Sequence, residues 1–279
     1  MGRRQLQATQ VFKNKVVLIT GASSGIGEAL ACEFASQGAD LALCARREDR
    51  LVKLAKELSA TGTQVLTFAC DVNLEKDLQN AVQVTREKLG HIDVVVANAG
   101  FGVSGDLDEL KVEDYRFQFE TNVFGVLNTI YATIDDLKKS KGTLALLGSV
   151  AGYVGVAGGS AYCMSKFAVH ALAQFLTLEL YPHGVAVVQI SPGFVESEIQ
   201  RVDNKGVFHE RTHDHKPSWL EMPRQVAAKK IVRAIARRKR IEVITLHAKV
   251  IVFFQRHFPW LVHFFAKWQG LKNRPEPGV

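Results

Sequence analysis

The sequence is poor in cysteine and proline and has no long apolar run. Its four cysteines, Cys32, Cys44, Cys70 and Cys163, contain no CxxC pair and sit in apolar segments. That excludes a disulfide framework and reads as reduced, buried thiols in a cytoplasmic compartment. Only 7 prolines occur in 279 residues, beside 47% hydrophobic and 23% charged residues, so disorder is excluded and the chain can bury a sizeable core. No stretch reaches the roughly 20 continuous apolar residues of a spanning helix. The opening MGRRQLQATQVFKNK is basic, with no apolar segment of signal-peptide length. Excess charge is also missing from most of the chain. Residues 1–222 carry 22 Lys+Arg against 26 Asp+Glu, whereas residues 223–279 carry 13 against 2, so the net +7 comes from a C-terminal segment of +11. A local basic face follows, and a generally nucleic-acid-binding domain is excluded.

What is present is alternation. Short β-branched runs at Lys15–Thr20, Asp40–Cys44, Thr63–Ala69, Ile92–Ala97, Thr143–Leu147, Ala186–Ser191 and Glu242–Thr245 predict strands, with helix-like segments between them. Continuously apolar strands are buried on both faces, which makes the sheet parallel and covered by helices. The expectation is one α/β domain over residues 13–247, a Rossmann-type doubly wound sheet with a lid at 194–220, followed by a basic, aromatic segment at 248–279.

After the first strand comes Thr20-Gly21-Ala22-Ser23-Ser24-Gly25-Ile26-Gly27 and then a helix. Glycines at 21, 25 and 27 allow a sharp turn that sets bare N–H groups and the helix N-terminus against a pyrophosphate. The loop residues Ser23, Ser24 and Ile26 belong to the same cradle. At the end of the second strand an acid for a ribose hydroxyl is lacking, and Arg46 and Arg47 follow instead. A guanidinium grips phosphate with a bidentate fork, so the pair favours NADP(H) over NAD(H); alternatively it is solvated charge at a strand end. Asp71, ending the third strand, is placed for an adenine amino group, and Asn98-Ala99-Gly100 for the adenine-ribose side.

Thr20–Gly27, Ala97–Gly100, Asn122, Ser149, Tyr162-x-x-x-Lys166 and Pro192-Gly193 occur in order. Together they resemble the short-chain dehydrogenase/reductase family over about residues 13–245. Ala97 stands where the family often has Asn, and Ser197 where a Thr commonly follows the Pro-Gly pair. The resemblance implies an NADP(H)-dependent oxidoreductase that moves a hydride between nicotinamide and a carbonyl or alcohol. It adds Val72, Pro192, Gly193, Val195 and Ser197 to the cofactor-binding set, and Tyr162 and Lys166 belong to that set as well as to the chemistry. It gives Asn122 a water that passes protons to Lys166, and it implies a homodimer or homotetramer built on helices near Glu113–Leu137 and Ser160–Leu180, with Phe117, Phe167 and Leu172 either as contacts or facing the sheet.

The chemistry also follows from the residue types. A free tyrosine ionises near pH 10, too high for acid–base work at neutrality. Lys166, one turn along the helix, shares a face with Tyr162, and its ammonium together with an oxidised nicotinamide favours the phenolate. Tyr162 then protonates the carbonyl oxygen while Ser149 holds it. Cys163 reads as packing. Phe101, Val103, Val154, Val156, Phe194 and Val195 suggest an apolar pocket for a hydrophobic, even lipid-like, substrate, or else core. No metal is expected: His209, His213 and His215 read as lid surface. Ala248–Gly270, broken at Pro259 and rich in aromatics, lies in a membrane interface with Trp260 and Trp268 at headgroup depth, or roofs the pocket, or makes a subunit contact. The rival class is an idle NADP-binding sensor or scaffold, against which the intact tetrad argues.

Overall fold

A computed structural model describes residues 10–60, 62–199, 203–204, 206–207 and 220–272, with side chains described to residue 267. Seven strands form one parallel sheet: β1 (Val16–Thr20), β2 (Asp40–Ala45), β3 (Val65–Ala69), β4 (Val94–Ala97), β5 (Thr143–Leu147), β6 (Ala186–Ser191) and β7 (Ile241–Val243). Their order is β3-β2-β1-β4-β5-β6-β7. The chain winds outward from β1 to one edge, returns to β4 and winds to the other. The reversal falls between β1 and β4, where a doubly wound sheet opens a crevice at its carboxyl ends.

The strand sequences show why both faces are covered. In β1, Val17 and Ile19 join one apolar cluster and Val16 and Leu18 another, the two-residue alternation of a pleat. The first cluster is completed by Leu30 and Phe34 of α1 (Gly25–Ser36), Leu51 and Leu54 of α2 (Glu48–Ser59), and Ile231 and Val232 of α7 (Arg224–Ala236). The second takes Leu78 of α3 (Glu75–Leu89), Ile130 and Leu137 of α5 (Gly125–Ser140) and Val169 of α6 (Ser160–Glu179). α4 (Val112–Phe119) runs into α5 through a π-helical turn at Glu120–Phe124.

Strand existence agrees with the sequence throughout, and the ends differ by a residue or two. The last strand falls earlier than expected, because Thr245 is already the N-cap residue of α8 (Leu246–His257). Pro259 does divide the C-terminal segment, standing as the first residue of α9 (Pro259–Lys272), where its missing N–H costs nothing. The expected boundary at 247/248 lies inside α8. One thiol departs from expectation: Cys44, Cys70 and Cys163 are buried, but Cys32 is exposed. It sits on the outward face of α1, while Ala31, Phe34 and Ala35 of the same helix enter the core.

Candidate active site

The carboxyl ends of β1, β4, β5 and β6 bring most of the singled-out residues together. Gly21 and Gly25 have φ of +66° and +56°, values that favour glycine. Gly27 permits close approach, since a Cβ there would lie 2.2 Å from the Gly21 carbonyl oxygen. Ser24 is extended at the N-cap of α1, yet its hydroxyl does not cap the helix. That hydroxyl accepts a 2.6 Å hydrogen bond from Arg47, which also reaches Ser23 at 3.3 Å. The uncapped N–H groups of the first turn suit an anion.

Asn98 acts on the protein itself. Its amide donates to the carbonyls of Thr20 and Gly21 at 2.9 and 3.1 Å, fixing the glycine turn, and the N–H groups of Asn98 and Ala99 donate to the Thr20 hydroxyl. Asp71 accepts from the Asn73 N–H and is half-buried beside the buried Val72. Arg46 is exposed and Arg47 half-buried.

The π-helical turn carries Asn122 inward. Its side chain is fully buried and bonded in three directions: it accepts from the Phe101 N–H at 3.1 Å and donates to the Phe101 carbonyl at 3.0 Å and the Ser165 hydroxyl at 3.1 Å. Ser165 in turn donates to the Tyr162 carbonyl at 2.7 Å. π-bulges recur at functional sites because the extra residue re-aims one side chain. Gln118, one turn earlier and also fully buried, clamps Phe101 and Val103 through their backbone. Gly100 and Gly102 lie close to this group. A Cβ on Gly100 would approach Asn122 and Lys166, and one on Gly102 would touch the Tyr162 ring.

Lys166 is buried and donates to the Leu147 carbonyl at 2.9 Å, with its Nζ 5.7 Å from the centre of the Tyr162 ring. Burial lowers its pKa to about 8. For Tyr162, burial raises the phenol, a hydrogen bond with Ser149 draws it down, and Cys163 adds to the rise; the net direction is upward. The lowering expected from Lys166 is therefore not a property of the protein alone. Ser149 also accepts from the Ala151 N–H at 3.1 Å, which seats the strand end.

The lysine carries a test with a defined sign. Between about 8 and its ordinary value the unfolded chain holds a proton that folded Lys166 has released, so stability rises with pH across that window. Relative to Lys166→Met, the wild-type protein is expected to gain up to about 3 kcal/mol between neutral and strongly alkaline pH, read by urea unfolding. An unchanged difference would mean that Lys166 titrates normally.

Around β6, the Pro192 carbonyl accepts from the Val150 N–H at 2.9 Å, and a Cβ on Gly193 would lie 2.3 Å from Thr245 and His247. His247 accepts from the Phe194 N–H at 3.1 Å, and its ring stacks on Phe194 at 5.3 Å. Val195 is buried and bridges to Met222, and Ser197 packs over Gly25. Of the expected pocket wall, Phe101 and Val103 form a small buried cluster with Ala161. Val154 is half-buried, and Val156 and Phe194 are exposed. His209, His213 and His215 lie outside the described residues. Arg50 and Glu198 were not anticipated: Glu198 pairs with both Arg47 and Arg50 at 2.9 and 2.8 Å.

The family profile described as short chain dehydrogenase matches residues 15–207. An uncharacterized oxidoreductase of Staphylococcus epidermidis is 37% identical over 186 residues, 66% of this chain and 80% of that protein. An alcohol dehydrogenase from the archaeon Thermococcus sibiricus, solved in complex with 5-hydroxy-NADP, superposes with a TM-score of 0.70 at 31% identity, covering 83% of this chain and 95% of that one. A short chain dehydrogenase/reductase from Burkholderia phymatum, solved with NAD, reaches 0.79 over 96% of this chain and 98% of its own; at 24% identity it speaks to the fold. The chain belongs to the short-chain dehydrogenase/reductase family and is an oxidoreductase of that family.

Proposed function

We propose that this protein transfers a hydride between NADP(H) and the carbonyl or alcohol carbon of a hydrophobic substrate, with Tyr162 as the acid–base group. The observation that carries this reading is the convergence of Ser149, Tyr162 and Lys166 at the end of β5, backed by Asn122 on its π-turn. When bound, the nicotinamide supplies or takes up the hydride. The protein's own residues do the rest. The loop from Gly21 to Gly27, with Ser23, Ser24 and Ile26, would hold the pyrophosphate. The uncapped α1 N-terminus fits that anion. Asp71, Val72, Asn98, Ala99 and Gly100 would line the adenosine, with Pro192, Gly193, Val195 and Ser197 closing the other side. Ser149 would hold the substrate oxygen, Tyr162 would give or take its proton at the phenol oxygen, and Lys166 would add positive charge beside that oxygen and meet the ribose. Asn122 keeps Phe101 and Ser165 in place around them.

Arg46 and Arg47 carry the choice of NADP(H), because no carboxylate ends β2. NADPH is expected to bind more tightly than NADH in a fluorescence titration, and removing both arginines to cost about 1.5–3 kcal/mol per lost phosphate contact. Equal affinities would refute the preference. Phe101 and Val103 are core, so the hydrophobic substrate is proposed on the exposed apolar side chains of Val156 and Phe194, and a panel of apolar ketones and aldehydes would test it.

Assembly is proposed on the outer faces of α5 and α6, where Tyr131, Phe167, Phe175 and Leu178 are exposed. Phe117 and Leu172 are half-buried, the one against Phe101 and the other against the core. A dimeric or tetrameric mass by light scattering is expected, and a monomer at micromolar concentration would overturn it. No helix among the described residues is long and apolar enough to cross a membrane. Peripheral contact through α8 and α9 is the proposal for that segment, because their aromatics are exposed.

A further inference from the structure

The lid root is tied to the loop that would receive the cofactor. It is fixed at Val195 by the bridge to Met222. Three residues on, Glu198 reaches the β2–α2 corner: Arg50 Nη1 donates to both of its carboxylate oxygens at 2.9 and 2.8 Å, and Arg47 Nη1 to one of them at 2.9 Å. The remaining edge of Arg47 spans the hydroxyls of Ser23 and Ser24 on the glycine loop. Ser197 lies directly over Gly25, whose added Cβ would meet the Ser197 Cβ at 3.4 Å. One guanidinium thus joins three segments, β1–α1, β2–α2 and the lid root. Burial works to raise the Glu198 carboxyl, but Arg50 and Arg47 outweigh it, so the group is held ionised below its ordinary value.

We infer that Glu198 is a specificity-determining residue: its carboxylate competes with a cofactor 2′-phosphate for Arg47 and Arg50, and displacement by that phosphate releases the lid root. The inference rests on the proposed placement of the cofactor's adenosine ribose beside Arg47. A 2′-phosphate, nearly doubly charged, cannot share the Arg47 fork with a carboxylate at hydrogen-bond distance, because like charges that close repel strongly away from bulk water. A 2′-hydroxyl carries no charge and can donate to the same carboxylate. Glu198 therefore supplies, from the lid, the acid that β2 lacks. It disfavours the phosphorylated cofactor and tolerates the other, while the two arginines pull the opposite way. Cofactor choice becomes a balance between Arg47/Arg50 and Glu198, and only the phosphorylated cofactor opens the latch.

The test titrates NADPH and NADH into the wild-type protein and into Glu198→Gln, which keeps the shape and removes the charge. Backbone hydrogen exchange is followed over residues 196–199 in both. The variant is expected to bind NADPH about tenfold more tightly, with NADH changed by less than about twofold. Saturating NADPH, and not NADH, is expected to speed exchange at 196–199 in the wild type. Wild-type preference for NADPH with no gain in the variant would overturn the inference and leave the NADP(H) reading standing. Weaker NADPH binding in the variant would also overturn it, because Glu198 would then be positioning Arg47 for the phosphate. Equal exchange with both cofactors would remove the coupling to the lid. A wild type that favours NADH and a variant that favours NADPH would sustain the inference while refuting NADP(H) as the native choice.

Discussion

Replacing Tyr162 with phenylalanine is expected to lower turnover by about 10²–10⁴-fold while leaving the cofactor dissociation constant within about twofold. The ring of Tyr162 is held by packing that the hydroxyl does not supply. Gly102 lies against its face, Ser165 fixes its carbonyl, and the neighbours Ala161 and Cys163 are buried. Phenylalanine keeps those contacts, so the helix and the cofactor site should survive. What goes is the phenol oxygen joined to Ser149. Burial holds that phenol above its ordinary value, so in the protein alone it is an acid with its proton in place, as carbonyl reduction requires. Lys166→Met should differ in kind. It should weaken both turnover and cofactor binding, because by proposal the lysine serves both the phenol and the ribose. Steady-state oxidation of NADPH against a hydrophobic ketone, paired with a fluorescence titration, separates the two patterns. A Tyr162→Phe protein with near-native rates would overturn the mechanism. Loss of cofactor binding along with rate would show instead that the hydroxyl is structural.

The sequence made the strands legible because each is a short run of β-branched or apolar residues flanked by glycine or polar turns. It made the glycine loop legible because Gly21, Gly25 and Gly27 answer to backbone requirements that local spacing exposes. Where the reading fell short, the missing fact was a distant partner. Nothing local in Glu198 says that it will meet Arg47 and Arg50, about 150 positions earlier; the segment after β6 crosses the carboxyl edge of the sheet, past β5, β4 and β1, to the end of β2. Gln118 is similar: a glutamine in an amphipathic helix reads as surface, yet it clamps Phe101 and Val103. A usable signal was its place one turn before Asn122, on the same side of the helix. Cys32 was misplaced because an apolar neighbourhood in sequence does not say which helix face a residue occupies. Phe117 and Leu172 carried both meanings, and in the fold each is half-buried, the one against Phe101 and the other against the core. The pKa of Tyr162 could not be read from the YxxxK spacing, since spacing gives proximity to Lys166 and omits the desolvation that the fold imposes on both.

The full-length protein is expected to co-sediment with anionic vesicles at low salt, to ignore neutral ones, and to be released as salt is raised. The structure gives α8 and α9 an unusual surface. Phe253, Phe258, Trp260, Phe264 and Phe265 are all exposed, Trp260 to 68%, and neither helix carries an acidic residue. Exposed aromatics in such density are not accounted for by the core, and α9 packs principally on α8. Ahead of them lies the basic run Arg237–Arg240, and each basic residue near an anionic surface contributes about 1 kcal/mol. Residues 1–222 carry net −4, so the same surface repels them, and the molecule would dock with these helices down. Release by salt follows because the Debye length shrinks to about 3 Å at 1 M. A cut after Thr245 would confuse this test. It removes His247, which accepts from the Phe194 N–H just after β6, and the buried Ala248. Replacing Trp260, Phe264 and Phe265 together by serine leaves those contacts whole, and should abolish vesicle binding with activity on a soluble ketone retained. If the triple variant keeps vesicle binding, the aromatics are not the anchor. If it instead changes the oligomeric mass, α9 is a subunit contact, and if the wild type ignores anionic vesicles at low salt, the interfacial reading falls.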